Sequence, residues 1–238
     1  MNLNKIIKRL FKKTWFIFAF AVLFNSGFAL ETEERIVLPF DIIRATGRVK
    51  VILKPGNSER LKIETRGVEI SKVFTEQDGT TLKIYIQKGF VDDDIDVRVF
   101  VTYKELREIH SSALADIKAE SAVKGDKLVV DVNSKGQARI NVDVDTLELM
   151  VSVSGYLKIS GKTKTQNTSV NSDGMLSAFD LKCEKTYIKI NTAGTAEIRA
   201  GELLDAKVHT GGNLRYKGKP LKETIKTSVG GTVTRLAD

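Results

Sequence analysis

The side chains able to do chemistry are few and far apart. The chain holds two histidines, His110 and His209, and one cysteine, Cys183. A nucleophile needs a base within hydrogen-bond reach, and zinc needs Cys and His at short fixed intervals; neither spacing occurs. Cys183 alternates with lysine in Leu181-Lys182-Cys183, which reads as a structural thiol, and a single cysteine excludes an intramolecular disulfide. Asp92, Asp93, Asp94 and Asp96 form the densest acidic run. A hard cation wants several carboxylate oxygens from one flexible loop, but the run lacks the EF-hand interval, and Asp96 already belongs to an alternating segment. Asp143 and Asp145 flank Val144 and share one side of an extended strand. With Asp92 and Asp94 they are the carboxylates a carbohydrate-active enzyme could use, provided two of them stand roughly 5–10 Å apart across a cleft.

Lys162, Lys164, Lys182, Lys185 and Lys189 lend one region basic character. No aromatics are interleaved with them, so base stacking on a nucleic acid has no support. Gly211-Gly212 and Gly230-Gly231 open no helix and cannot cradle a phosphate as a P-loop does. Tyr85, Tyr103, Tyr156, Tyr187 and Tyr216 offer faces for sugar stacking wherever they are exposed, though strand packing explains them equally. No catalytic, cofactor-binding or metal-ligating set is expected.

Residues 1–29 read as an export signal. Lys5, Lys8, Arg9, Lys12 and Lys13 form a basic start, Thr14 to Phe24 an apolar run, and Gly27-Phe28-Ala29 a small-residue cleavage site. The run is shorter than the about 20 residues needed to span a bilayer, so no stable membrane span is expected after cleavage. The segment carries five of the 38 basic residues and no acid, leaving 33 positive against 30 negative side chains. The alkaline balance therefore belongs to the signal, and bulk charge argues for no nucleic-acid partner.

The rest of the chain is built for strands. Lys50 to Leu53, Leu61 to Glu64, Leu82 to Ile86 and Ile95 to Val101 alternate apolar and polar residues. Pro55-Gly56-Asn57 and Asp78-Gly79 supply turns between them. No helix of normal length is expected.

From about residue 106 the chain repeats. Gly136, Gly155, Gly174, Gly194, Gly212 and Gly231 are spaced by 19, 19, 20, 18 and 19 residues, with Ala113 in the same role 23 residues earlier. Four residues before each anchor stand Ile109, Val132, Val151, Val170, Ile190, Val208 and Thr227. Two after stand Ala115, Ala138, Leu157, Leu176, Ala196, Leu214 and Val233, and four after stand Ile117, Ile140, Ile159, Ala178, Ile198, Tyr216 and Arg235. A unit this short cannot bury its apolar residues alone, so successive units must stack. Equivalent residues would lie about 4.8 Å apart, with alternate side chains forming one continuous interior. The anchors are glycine because a Cβ would clash there or because φ is positive. Polar Thr227 and Arg235 read as an end cap. An antiparallel meander with two turns per period is the competing architecture, since Gly161, Gly201 and Gly218 give some units a second turn signal.

Three residues before the anchors lies a polar column: Asn133, Ser152, Asn171, Asn191 and His209, with Ser228 in the last unit and His110 in the first. Stacked amides and hydroxyls can hydrogen-bond from coil to coil as a structural ladder, or face a ligand as a strip. The two histidines would be five turns apart, about 24 Å, too far to act as a pair.

Phe40-x-x-Ile43-x-x-x-Gly47-x-x-x-Val51-x-Leu53-x-x-Gly56, the Ser152-Val153-Ser154-Gly155 repeat type, and the close Tyr216-x-Gly218-x-Pro220 with Gly230-Gly231 resemble the putative auto-transporter adhesin head, GIN-domain family. The likeness covers about residues 37 to 235. It implies a right-handed single-stranded parallel β-helix, pectin-lyase-like in shape, in a bacterial exported protein with an adhesive role and no established catalytic residues. Ala113, Asp173-Gly174 and Ala193-Gly194 depart from the Ser-Gly type, which argues against the serines as a binding motif.

The sequence thus predicts an all-β protein: a signal at 1–29, an N-terminal β-strand region at 30–105, and a β-solenoid with about 19-residue coils at 106–238, or one continuous domain over 30–238. The function it implies is that of a non-enzymatic envelope or cell-surface protein, periplasmic or outward-facing, binding polysaccharide or a surface protein. The alternatives are a carbohydrate-active enzyme on the same coil and a structural or sensory periplasmic domain without ligand.

Overall fold

The computed structural model describes residues 30–87 and 95–237. The signal segment and Asp92, Asp93 and Asp94 lie outside the described residues. The described residues form strands joined by turns, with one 3₁₀ turn at Ile70–Lys72.

Two ladders of parallel strands run the length of the repeat. The first joins β8 (Glu108–Ser112), β10 (Val123–Val132) and the C-terminal parts of β11 (Gln137–Val151), β12 (Tyr156–Val170) and β13 (Met175–Ile190), then β15 (Leu203–His209) and β17 (Lys222–Ser228). The second joins β9 (Asp116–Ala119), the N-terminal parts of β11, β12 and β13, then β14 (Thr195–Arg199), β16 (Asn213–Lys217) and β18 (Thr232–Arg235). The molecule is a parallel β-solenoid of about seven turns, and the antiparallel meander is excluded.

The apolar columns stack as expected. Val132 pairs with Val151, Val151 with Val170, Val170 with Ile190 and Ile190 with Val208, all fully buried. The 20-residue unit is absorbed by a β-bulge: Lys158 pairs with Ser177 but Ser160 with Asp180, so Ala178 and Phe179 together face Ile159.

The first unit corrects the expected register. Val132 pairs with Ser111, not Ile109, and Ala138 pairs with Ile117, so the residue equivalent to Gly136 is Ala115 rather than Ala113. A shift of two residues leaves the inward set unchanged in a period-two strand, which is why apolar pattern alone does not reveal it.

The N-terminal region carries the same core onward, but out of chain order. β2 (Ile42–Thr46) and β3 (Lys50–Pro55) pair in parallel with β8 and β9 on one side. On their other side they pair with β6 (Thr81–Ile86) and β7 (Asp96–Tyr103). The strands that come later in sequence thus form the outer coil. Pro55-Gly56-Asn57 is a turn, but the strands it joins do not pair, because β7 lies between β3 and β4 (Arg60–Arg66).

Three antiparallel strands then close that end. β4 lies on β7, β1 (Glu31–Arg35) on β4, and β5 (Val73–Asp78) on β6 through the Asp78-Gly79 turn. Arg35 of β1 crosses to β5, donating to the Val73 carbonyl at 2.7 Å and the Thr75 hydroxyl at 3.0 Å. One hydrophobic cluster runs from Phe40 to Tyr216 through both parts.

Candidate binding faces

The corner between the two ladders is a stack of tight turns. Each bonds its fourth residue back to its first: Gly136 to Asn133, Gly155 to Ser152, Gly174 to Asn171, Gly194 to Asn191, Gly212 to His209 and Gly231 to Ser228. The two central residues have positive φ, as in type I′ turns, yet most are not glycine. Ser134 and Lys135, Val153 and Ser154, Ser172 and Asp173, and Thr192 and Ala193 lie between 48° and 62°. Such backbone costs an L-residue about 1–2 kcal/mol. Bonds between turns hold it: Lys135 donates to the Val153 carbonyl, Ser154 to Ser172, Asp173 to Thr192 and Ala193 to Thr210, each at 3.0–3.1 Å.

The anchor glycines serve another purpose. Their own φ is not positive, but a Cβ on Gly155 would lie 2.4 Å from the Val132 carbonyl oxygen, and one on Gly174 2.5 Å from that of Val151. They let one coil settle on the next. Ala113 and Leu114 take the left-handed places in the first turn, at 50° and 74°.

The polar column sits beside this spine, half-buried. Asn191 donates to the Asn171 side chain of the neighbouring coil at 3.0 Å, and His209 Nδ1 lies 2.5 Å from Ser228 Oγ. Asn133 and Asn171 donate to residues two earlier, Asp131 at 3.3 Å and Ser169 at 2.9 Å. His110 is not in this column: it pairs with Asp131, 3.6 Å from Nδ1, while Nε2 lies 2.9 Å from Glu108. Hydrogen bonds from the His110 ring and the Asn133 amide hold the Asp131 carboxyl below the usual carboxylate range against the opposing effect of burial.

The remaining groups are dispersed. Asp143 and Asp145 are bridged to Lys162 and Lys164 of the next coil at 3.3 and 2.9 Å. Asp96 binds Lys50 at 2.7 Å and also Arg98. Cys183 is buried, and desolvation raises its thiol pKa, the reverse of an activated nucleophile. Among the described residues no three of His, Cys, Asp and Glu cluster as metal ligands. Nor is any helix among them long and apolar enough to cross a membrane.

Burial sorts the tyrosines. Tyr103 and Tyr216 are in the core, and Tyr85 stacks on Phe74 with its hydroxyl bonded to Glu76. Tyr187 is exposed, beside a shallow groove of about 230 Å³ with Asn167, Asp205, Lys189 and Lys207 at its edges. On this first-ladder face Lys189, Lys207 and Lys226 are in register, one per coil. Sequence reading stopped at Lys189. The signal was the column five before each anchor, which reads Asp131, Met150, Ser169, Lys189, Lys207, Lys226.

A solenoid of stacked coils, closed by antiparallel strands at one end and offering long flat faces, defines the class as a parallel β-solenoid. The chain belongs to the family described as "Putative auto-transporter adhesin, head GIN domain", matched over residues 39–220. The Gly230-Gly231 close lies beyond that match. Several solved structures share the fold, among them three from Bacteroides and Parabacteroides. A putative adhesin from Bacteroides fragilis is 19% identical, with a TM-score of 0.76, covering 87% of this chain and 97% of that one. A putative adhesin from Parabacteroides merdae is 23% identical, with a TM-score of 0.70, covering 89% and 97%. A putative lipid binding protein from Parabacteroides distasonis is 20% identical, with a TM-score of 0.67, covering 89% and 98%. No curated protein matches the chain.

Proposed function

We propose that this chain acts as an exported, non-enzymatic envelope or cell-surface protein that binds a repetitive partner, polysaccharide before protein, through the flat outward columns of its solenoid. The observation that carries the reading is the register. Outward side chains stand in register at about 4.8 Å along the axis, a spacing suited to polymeric ligands, and one column keeps the same residue in three coils, Lys189, Lys207 and Lys226. Family membership as an adhesin head supports the same reading. Export rests on the signal at 1–29, and the shared core across residue 105 supports one continuous domain over 30–238.

We assign Asn133, Ser152, Asn171, Asn191 and His209 to the structural ladder rather than to the ligand, because the bonds of Asn191 and His209 run between coils. The carbohydrate-active alternative has little to draw on at Asp143 and Asp145, each held by a lysine on a flat face. Glycan arrays and pull-downs with the exported protein test the proposal. The expected result is saturable binding to envelope polysaccharide or a surface protein without turnover. Silence across both overturns it, and glycan cleavage lost on Asp143→Asn and Asp145→Asn restores the enzyme.

A further inference from the structure

Several charges on the solenoid meet their opposites across coils. Lys127 bridges Glu148 at 2.8 Å, Arg139 bridges Asp116 at 2.7 Å, and Arg215 bridges Glu197 at 2.7 Å. One face instead carries a column of three like charges in register. Lys189, Lys207 and Lys226 stand directly opposite one another on β13, β15 and β17. Lys185 and Lys222 flank them on the same strands, both paired with Leu203. All five lysines are exposed, and none takes part in an ion pair among the described residues. Asp205 is the one acid aligned with Tyr187 between the lysines; the exposed Glu184 and Glu223 lie on the same strands next to Lys185 and Lys222, Glu223 accepting from the Tyr216 hydroxyl at 3.0 Å. Like charges in register destabilise a sheet, so nothing in the folding of the coils calls for this column.

Resting on the binding role proposed above, we infer that this face is a site for an acidic polysaccharide. The lysine column supplies a row of point charges, about 4.8 Å apart at the backbone, for carboxylate or sulfate groups along the polymer. Tyr187, exposed beside the column, presents a ring face to the apolar side of a sugar. Asn167 and Asp205, directly opposite Tyr187 on the adjacent coils, bond hydroxyls within the 230 Å³ groove. A single aromatic fits one stacked sugar among charged contacts. A single-stranded nucleic acid would use successive rings.

The test uses the purified exported protein with four polysaccharide probes, polygalacturonate, its fully methyl-esterified form, dextran sulfate and dextran, and with single-stranded DNA and phosphatidylglycerol vesicles as rival polyanions. The expected result is binding to both acidic polymers, at least tenfold weaker binding to the uncharged partner of each, and loss of affinity between 50 and 300 mM salt. Lys189→Gln with Lys207→Gln and Lys226→Gln should weaken acidic-polymer binding at least tenfold, and Tyr187→Ala severalfold. Lys158→Gln on the other ladder should leave it unchanged. The triple variant should melt no lower than the parent, because like-charge repulsion is relieved. The single Lys207→Gln variant provides the same readout should the triple variant misfold.

Equal binding by the triple variant and the parent overturns the site while leaving the binding role standing. So does an array on which only neutral glycans bind. Preference for single-stranded DNA or for phosphatidylglycerol vesicles, lost in the triple variant, overturns the polysaccharide in favour of that polyanion. Silence on every probe and on the array removes both proposals together.

Discussion

At the N-terminal end, β1, β4 and β5 run antiparallel over the outermost coil and are clasped by Arg35, whereas at the C-terminal end β17 and β18 are the last strands among the described residues. Parallel coils necessarily leave an unpaired edge and an uncovered core at each end. The N-terminal end meets this by folding more apolar chain across it. Leu61, Ile63 and Val73 are buried there. The last coil among the described residues is more polar than those before it. Thr227 and Arg235 take the places that Val208 and Tyr216 hold one coil earlier, and Ile225 and Val233 are only half-buried. The interior should therefore be most cooperative near the covered end and the middle, and should fade toward the last coil.

The largest effect that sharpens this contrast is a charge placed in one column at two heights. Leu157 is fully buried between Ala138 and Leu176. Leu157→Asp puts an unpaired carboxylate in the stack, costing several kcal/mol, comparable with the whole stability of a domain. No cooperative thermal transition should survive. Val233→Asp, in the same column at the last coil, should cost less than about 1 kcal/mol, and Lys158→Asp, facing outward, should be tolerated. Circular dichroism melts decide it, and equal losses at Leu157 and Val233 would erase the difference between middle and end.

Next in size is truncation at the two ends. Leu61→Ala in β4 should cost about 2–5 kcal/mol, the range for a buried leucine. Ile225→Ala in β17 should cost under about 1.5 kcal/mol, because less of that side chain leaves water. Urea midpoints measure both.

The anchor glycines give a third, smaller probe. Gly155→Ala forces a Cβ toward the Val132 carbonyl oxygen at 2.4 Å, and Gly231→Ala meets the Val208 oxygen at 2.2 Å. The contacts are alike, but the surroundings are not. In the middle the coils cannot part, and overpacking should cost about 1–3 kcal/mol. At the end the last coil can shift, and the loss should be a fraction of that.

The columns of Val, Ile and Leu were legible in the sequence because stacking is recorded in side-chain identity at a fixed interval. The register of the first unit was not, since Ile109 and Ser111 both point inward and apolar pattern alone preferred the isoleucine. Nor could the sequence reveal β6 and β7 lying outside β2 and β3. Alternation marks a strand without naming its neighbour, and the Pro55-Gly56-Asn57 turn gives no sign that β7 lies between the strands it joins. The turn spine was hidden for a different reason. Ser134, Lys135 and Val153 are poor left-handed residues, and only bonds from turn to turn hold them there. The lysine face was partly in view at Lys185 and Lys189, but joining it to Lys207 and Lys226 required extending the register from apolar columns to polar ones.

Those strained turns supply the smallest and most discriminating test. Val153 is a β-branched residue at φ 48°, and its side chain is 53% exposed, so it contributes little packing in return. Val153→Asn keeps every backbone bond and relieves the strain, and should add about 0.5–1 kcal/mol. For a chain of this size that raises Tm by about 1–4 °C. Val229 occupies the equivalent place in the last turn, at φ 49° and 78% exposed. Val229→Asn relieves the same local strain, but the global melt gains only what the last coil shares with the rest. If the end coil frays by itself, Tm should stay put while hydrogen exchange of the β17 and β18 amides slows. Equal rises in Tm for the two variants would mean that the last coil unfolds with the whole, and that its polar edge is as much a part of the cooperative unit as the clasped strands at the other end.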